Sequence, residues 1–150
     1  MGVQVDTQQS ENAQAQDMLD VRGEDFSANF ERVSAFPVPA DELFAWHERS
    51  GAFERLCPPW DPVEILARDP GIQDGAKVTL QVKIGGIPQR LEVIHEDYEA
   101  GRQFQDRQLK GPFSEWVHRH RVHPLGEGES ALQDAIRYRL PLGPLGALFG

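Results

Sequence analysis

The chain has little of what several common protein classes require. Cys57 is the only cysteine, so no disulfide can form within the chain, and a reducing cytoplasm is the expected location. No apolar run approaches the roughly 18–20 residues that cross a bilayer, and no basic segment followed by an apolar core begins the chain. We therefore expect neither membrane insertion nor secretion by a cleaved signal.

Basic clusters and phosphate-binding glycine loops are missing as well. The net charge is −9, which argues against nucleic acid as a partner. Gly85 and Gly86 stand between two strand-like runs and do not open a helix, so they predict a turn and no nucleotide site. The sequence thus leaves a protein whose partner is neither a nucleic acid nor a nucleotide.

The length and composition of the sequence fit one folded domain that follows an acidic N-terminal tail. A chain of 150 residues can bury a substantial core, and 26% charged residues is the balance of a globular protein. Residues 1–25 hold six acidic residues against one basic residue, Arg22, and contain few large apolar groups. We expect a disordered acidic tail over 1–25 and a single domain over 26–150.

The hydrophobic patterns of residues 26–150 predict an α+β protein. Proline just before an acidic turn favours a helix that begins at Pro39 and ends near Ser50. Clean alternation over 77–84, followed by two glycines, predicts a β-hairpin. The full set comprises a first strand over 30–36, helices over 39–50 and 52–56, and a meander of six strands over 63–67, 77–84, 87–98, 102–110, 114–123 and 130–140.

Residues 113–122 (FSEWVHRHRV) are the most informative stretch. Read with the period of a strand, they place Trp116, His118, His120 and Val122 on one face. Histidines beside large apolar side chains are typical of a ligand cavity, whose wall is apolar with a few polar groups. This face is therefore the predicted inner wall of a cavity.

The same alternation on the other strands yields a set of candidate cavity residues. His95, Asp106 and Asp134 join the two histidines on the inner face, and Trp60 and Phe113 are placed by hypothesis in loops at the mouth. No third metal ligand is fixed by spacing beside the His-x-His pair, so we expect neither a metal nor a cofactor. The predicted lining consists of Trp60, Val82, His95, Phe104, Asp106, Gln108, Phe113, Trp116, His118, His120, Asp134 and Tyr138.

The chain resembles the SRPBCC superfamily, whose helix-grip fold is shared by START lipid-transfer domains, polyketide cyclases and the major birch pollen allergen. The narrower resemblance is to the SRPBCC domain that precedes an NAD-dependent epimerase/dehydratase domain in cell-division-inhibitor-like bacterial proteins. The resemblance covers about residues 28–146. It rests on the segments 36–47 (FPVPADELFAWH), 51–56 (GAFERL), 58–60 (PPW), 97–104 (DYEAGRQF), 111–113 (GPF), 116–120 (WVHRH) and 140–143 (LPLG).

The resemblance implies a curved antiparallel sheet whose cavity is closed by a long C-terminal helix. We expect that lid helix to be truncated or missing here, because only a few residues of the sequence follow Pro144. Three explanations stay open: the chain is a fragment linked to a downstream domain, the groove is filled by a second copy in a homodimer, or the N-terminal tail folds over it.

Three interpretations of the histidines and aspartates follow. In the first, they are structural and fix the strand register. In the second, they anchor a small hydrophobic, aromatic or lipid-like ligand. In the third, a His–Asp pair acts as a general base, or Tyr138 acts as an acid, in a cyclase, dehydratase or hydrolase, as some cyclases of the superfamily imply. The function expected first is ligand binding. The alternatives are an enzyme and a protein interaction module that uses the uncovered sheet face.

Overall fold

Seven strands form one curved antiparallel sheet in the computed structural model, which describes residues 27–49, 52 and 63–141. Within these ranges one helix, α1, crosses the sheet. The elements are β1 (Phe30–Phe36), α1 (Ala40–Glu48), β2 (Glu64–Arg68), β3 (Lys77–Ile84), β4 (Ile87–Glu99), β5 (Gln103–Lys110), β6 (Glu115–Gly126) and β7 (Glu129–Arg139).

The strand order is β1-β7-β6-β5-β4-β3-β2, so β2 to β7 form the predicted meander and β1 closes on β7. Every neighbouring pair is antiparallel, which confirms the predicted sheet. Gly85 and Gly86 make the two-residue turn between β3 and β4 with φ of 57° and 79°. Positive φ at both positions is what such a hairpin turn requires and what glycine adopts without strain.

Several bounds of the helix and strands differ from the prediction by one or two residues, and the end of β6 differs by three. β2 lies one residue further along the chain, and β6 continues to Gly126, so its predicted end at His123 is wrong. Pro124 pairs with Ser130, and the register shifts between Pro124 and Gly126. An irregular pair tolerates a residue without an N–H, which is why the proline does not end the strand.

Two predicted features lie outside the described residues. The second short helix falls on 52–56, of which the structure describes only Ala52, a buried helical residue. The lid falls on the residues after Pro141. No helix within the described ranges is long and apolar enough to span a membrane.

Helix α1 packs its apolar stripe on the sheet. Pro39 precedes its first residue, and Asp41 and Glu42 lie in its first turn, where carboxylates favour the positive end of the helix dipole. Leu43, Phe44 and His47 are the buried residues of the helix. Their spacing of three to four residues forms one face of a helix.

The face of the sheet that α1 covers is called the inner face below. Leu43 and Phe44 form one buried cluster with Phe104, Val122 and Leu132 of β5, β6 and β7. Because cross-strand partners share a face, every residue in register with these three also lies on the inner face. A second cluster, further along the same face, contains Leu80, Leu91 and Val93, with Val82 and Trp116 packed against it.

Bulges bend the long strands around the inner face. The pairing of β4 with β5 shifts between Glu96 and Glu99, and Asp97 there has φ of 50°. The N–H of Tyr98 donates to Asp74 Oδ1 at 2.8 Å, and Gln103 Nε2 donates to the carbonyl of Asp97 at 3.0 Å. These bonds hold the bulge in place, and a bulge increases local twist and bending.

Candidate functional site

Three imidazoles and two carboxylates alternate in a chain of polar contacts on the inner face. Asp106 lies between His95 and His120: its Oδ1 is 2.5 Å from His95 Nδ1, and its Oδ2 is 3.2 Å from His120 Nε2. Asp134 lies between His120 and His118: its Oδ1 is 2.8 Å from His120 Nδ1 and 3.2 Å from His118 Nε2. These five residues are called the His/Asp network.

Strand register assembles the network. His95 pairs with Asp106, Asp106 with His118, and His120 with Asp134 across β4 to β7. Side chains on directly paired positions lie about 4.5–5.5 Å apart at Cβ, which is within reach of an imidazole and a carboxylate. The network therefore follows from four strands that each place a polar residue at the same level.

His120 carries a positive charge at the centre of the network. A carboxylate only accepts hydrogen bonds, so both ring nitrogens of His120 must donate, and only the imidazolium does so. Burial by itself lowers the pKa of His120, but hydrogen bonds to Asp106 and Asp134 outweigh it and raise that pKa to about 9. The ring is thus cationic at neutral pH although its side chain is only 10% exposed.

The two carboxylates are ionised. Burial raises the pKa of each, yet the contacts of Asp106 with His120 and His95 hold its pKa well below the usual range. Contacts with His118 and His120 do the same to the pKa of Asp134. One buried cation therefore lies between two buried anions.

Two further histidines keep a lone pair. Burial, followed by the nearby His120 cation, lowers the pKa of His118, and burial likewise lowers the pKa of His47. His47 Nδ1 lies 2.8 Å from the carbonyl oxygen of Leu43, one turn earlier in α1, so Nδ1 donates and Nε2 carries the lone pair. That Nε2 is buried and has no hydrogen-bond partner among the described residues.

Two rings enclose the His120 imidazolium. Phe104 stacks on it with centroids 4.3 Å apart and planes 15° apart, and the His118 ring lies 3.9 Å away at 36°. The negative face of an aromatic ring attracts a cation at this distance. Phe104 therefore stabilises the charge as well as filling the core.

An aromatic group borders the network on the side away from α1. Trp116 meets His118 edge to face at 5.9 Å, and Tyr138, which is in register with Trp116, meets Phe113 at 6.1 Å. Gln108 holds Phe113 in place, because its Nε2 donates to the carbonyl of Phe113 at 2.7 Å and its Oε1 accepts from the N–H of Phe113 at 3.3 Å. Trp116 and Phe113 are half-buried, and Tyr138 is 39% exposed.

The structure places most of the predicted lining on the inner face. Ten of these residues belong to strands β3 to β7, and Phe113 lies in the loop before β6. Trp60 lies outside the described residues. His47 is not part of the predicted lining. It lies on the buried side of α1, one turn after Leu43. The packing of α1 on the sheet brings its ring to 6.5 Å from the ring of His120.

A metal ion has candidate ligands here. Asp106, His118 and His120 each offer a ligand atom, and these atoms lie within 4.8 Å of one another. Both nitrogens of His120 already donate to carboxylates, however, and His118 Nε2 faces the same oxygen of Asp134 as His120 Nδ1 does. A metal would have to replace the proton of His120 and turn the rings.

Known structures share this fold. The Zhui aromatase/cyclase from Streptomyces sp. R1128 is 20% identical with a TM-score of 0.61, and the match covers 76% of this chain and 68% of that one. A START superfamily protein from Mycobacterium smegmatis is 21% identical with a TM-score of 0.54, covering 79% and 84%. Norcoclaurine synthase from Thalictrum flavum, in complex with dopamine and hydroxybenzaldehyde, is 14% identical with a TM-score of 0.57, covering 74% and 68%.

These neighbours confirm the predicted START-like helix-grip fold. No curated protein matches the chain in sequence. The narrower resemblance to domains linked to an epimerase stays a prediction, as do the homodimer and the downstream domain. The sequence profile described as polyketide cyclase/dehydrase and lipid transport matches residues 36–150. The chain, with its curved antiparallel sheet and buried His/Asp network, therefore belongs to the polyketide cyclase/dehydrase and lipid transport family.

Proposed function

We propose that this chain binds a small aromatic or polyketide-like molecule on the inner face of its sheet, beside Trp116 and over the His/Asp network. One observation carries the proposal. Large aromatic side chains stay partly exposed on the same face, and next to the same residues, as a buried set of charged groups. An apolar wall with a few fixed polar groups is the usual composition of a small-molecule site.

The apolar wall supports an aromatic ligand. Trp116 packs against the buried Leu91 and Val93, while Phe113 and Tyr138 meet each other edge to face. Flat rings stack or meet edge to face with such side chains at centroid distances of about 4.5–7 Å. A planar ligand gains more from this wall than a flexible aliphatic chain does, because it loses less conformational freedom on binding.

The comparisons support the same class of ligand. Norcoclaurine synthase, which shares this fold, forms a complex with dopamine and hydroxybenzaldehyde, and both of these compounds are aromatic. Zhui is an aromatase/cyclase, whose name refers to aromatic products. We infer by analogy that this chain takes a ring system, and we place it on the inner face.

Trp116→Ala tests the site. We expect it to weaken binding of an aromatic probe by at least about tenfold, because truncating a central aromatic contact typically costs more than 1 kcal/mol. Isothermal titration with phenol, 2-naphthol and 9-phenanthrol measures the affinity for one, two and three rings. Leu66→Ala is the matched control, since Leu66 is an exposed apolar residue of β2 and lies outside the predicted lining. Failure of all three probes to bind, or equal binding by the Trp116 variant, contradicts the proposal.

Acid–base catalysis is the second candidate, and one observation favours it. His118 Nε2 faces the Asp134 carboxylate, which is how a carboxylate orients a histidine base. His118 Nδ1 then takes a proton from a carbon next to a carbonyl group, leaving an enolate on the substrate and an imidazolium beside Asp134. This is the first step of a cyclase- or dehydratase-type reaction.

Deuterium exchange separates the two candidates. We expect the methyl protons of 2-acetonaphthone to exchange in D₂O faster with protein than in buffer alone, and His118→Ala to remove that acceleration by about 100-fold or more. Proton NMR measures the exchange rate. His123→Ala, on the outer face, is the control. Exchange at the buffer rate, or exchange that His118→Ala leaves unchanged, rejects catalysis by His118 and leaves binding as the function.

A further inference from the structure

The hydrogen-bonding sense of the inner face restricts what it binds. His118 Nε2 lies 3.2 Å from a carboxylate oxygen of Asp134, and that oxygen can only accept. Nε2 therefore carries the hydrogen of a neutral His118, and Nδ1 carries the lone pair. The side chains of His118 and Asp134 are 21% and 26% exposed, so an incoming molecule meets this ring and the carboxylate that orients it.

His47 presents a lone pair in the same way, from the other side of His120. Its Nδ1 donates to the Leu43 carbonyl, and its Nε2 is a buried acceptor without a partner among the described residues. The side chain is 6% exposed, and its ring lies 6.5 Å from His120. Two acceptor nitrogens therefore flank the imidazolium, whose own hydrogens are both directed to carboxylates.

The charges of the network also disfavour an anionic ligand. Asp106 and Asp134 contribute two negative charges to the network, and His120 contributes one positive charge. Arg32 pairs in register with Asp134 but is exposed, and the carboxylate contacts of Asp134 are to His118 and His120. The network thus places two carboxylates in a poorly solvated region, where a further anion is unfavourable.

We propose that the molecule bound on the inner face presents a phenolic or alcoholic hydroxyl, which donates its hydrogen to His118 Nδ1. We also propose that carboxylates of the same shape are rejected. This inference rests on the proposed function. A hydroxyl supplies the donor that the acceptor nitrogen lacks. An ether of the same size leaves that nitrogen desolvated and unpaired, and a carboxylate adds repulsion from Asp134. The substrate class is therefore hydroxylated rings rather than aromatic or fatty acids.

Three matched probes test this inference on the unmodified protein. At pH 7, 2-naphthol donates a hydrogen bond, 2-methoxynaphthalene does not, and 2-naphthoate is an anion of similar shape. Because a buried site with an unpaired acceptor discriminates by about tenfold or more, we expect 2-naphthol to bind about tenfold more tightly than the ether by isothermal titration. The naphthoate is expected to bind more weakly than either. Equal affinities for naphthol and ether overturn the inference, and so does a naphthoate that binds most tightly.

The variant His118→Phe tests whether His118 Nδ1 is the atom that accepts the hydrogen bond from the ligand. His118→Phe keeps a ring in the stack and removes Nδ1, so we expect the preference for naphthol over ether to fall to within about twofold. His123→Phe, on the outer face, is expected to keep the full preference. Circular dichroism shows whether each variant is folded; if His118→Phe is not, the probe series on the unmodified protein still decides the inference. A preference that persists in folded His118→Phe overturns the assignment to His118.

The two proposals fail differently. If none of the three probes binds the unmodified protein, the proposed binding function fails, and this inference fails with it. If all three bind with similar affinity, the site exists and only the inference about the hydroxyl fails.

Discussion

We expect Asp106→Asn to lower the free energy of unfolding at neutral pH by about 3–5 kcal/mol, the cost of removing one partner from a buried ion pair. Asp106 contacts both His95 and His120, whose side chains are only 8% and 10% exposed. Without its charge, the imidazolium of His120 stays buried with a single carboxylate, Asp134. Urea denaturation followed by circular dichroism measures the loss.

Glu96→Gln is the matched control. Glu96 lies beside Arg107 on the outer face, with an oxygen 2.5 Å from the guanidinium, but both side chains are about a third or more exposed. Exposed pairs contribute about 0–1 kcal/mol, so this variant should lose no more than that. An Asp106→Asn variant as stable as Glu96→Gln would show that the network does not stabilise the fold.

Stability should reach a maximum near pH 6.5 and fall on both sides. The folded-state pKa of His120 is raised from 6.5 to about 9 by its two carboxylates, although burial opposes this. A raised pKa means that the folded protein holds the proton more tightly, so the stabilisation is complete below pH 6.5 and is lost as the pH rises to 9. The loss over this interval is about 3 kcal/mol.

The acidic side has different causes. Burial lowers the pKa values of His118 and His47, so the unfolded chain takes up protons first and stability declines as the pH falls below 6.5. The lowered pKa values of Asp106 and Asp134 stabilise the fold above about pH 4, and that contribution is lost as the pH falls further. Both the histidines and the carboxylates therefore make the free energy of unfolding fall on the acidic side of the maximum.

Denaturation midpoints and slopes between pH 4 and 9.5 measure this profile. His120→Gln removes the titrating group, so the variant should be less stable at pH 6.5 but show a flat profile from pH 6.5 to 9. A stability of the unmodified protein that stays constant from pH 6.5 to 9 would contradict the charge assigned to His120.

Much of the fold could be predicted from local patterns. The alternation of β3 and the two glycines after it gave the hairpin to the residue, because side-chain period and turn chemistry are local properties. Pro39 and the acidic residues after it gave the start of α1 for the same reason. The end of β6 was missed because a proline normally stops pairing, and only the irregular pair with Ser130 showed how the sheet accommodates it.

The candidate site was predicted as a set of residues but not as an arrangement. Period two indicated that three histidines and two aspartates share the inner face. It left open which of them pair, because each pairing joins strands whose relative register depends on the whole sheet. The position of His47 beside His120 could not be predicted for a related reason, since it depends on the packing of α1 on the sheet.

The sequence by itself determined the strands, the turns and the set of side chains that face inward, since these follow from propensity and periodicity along the chain. Only the tertiary structure decided that His120 lies between two carboxylates, that Phe104 and His118 enclose its ring, and that His47 keeps a free nitrogen beside it. Charge state and hydrogen-bonding sense depend on distances of about 3 Å between residues far apart in sequence, and no local pattern specifies those.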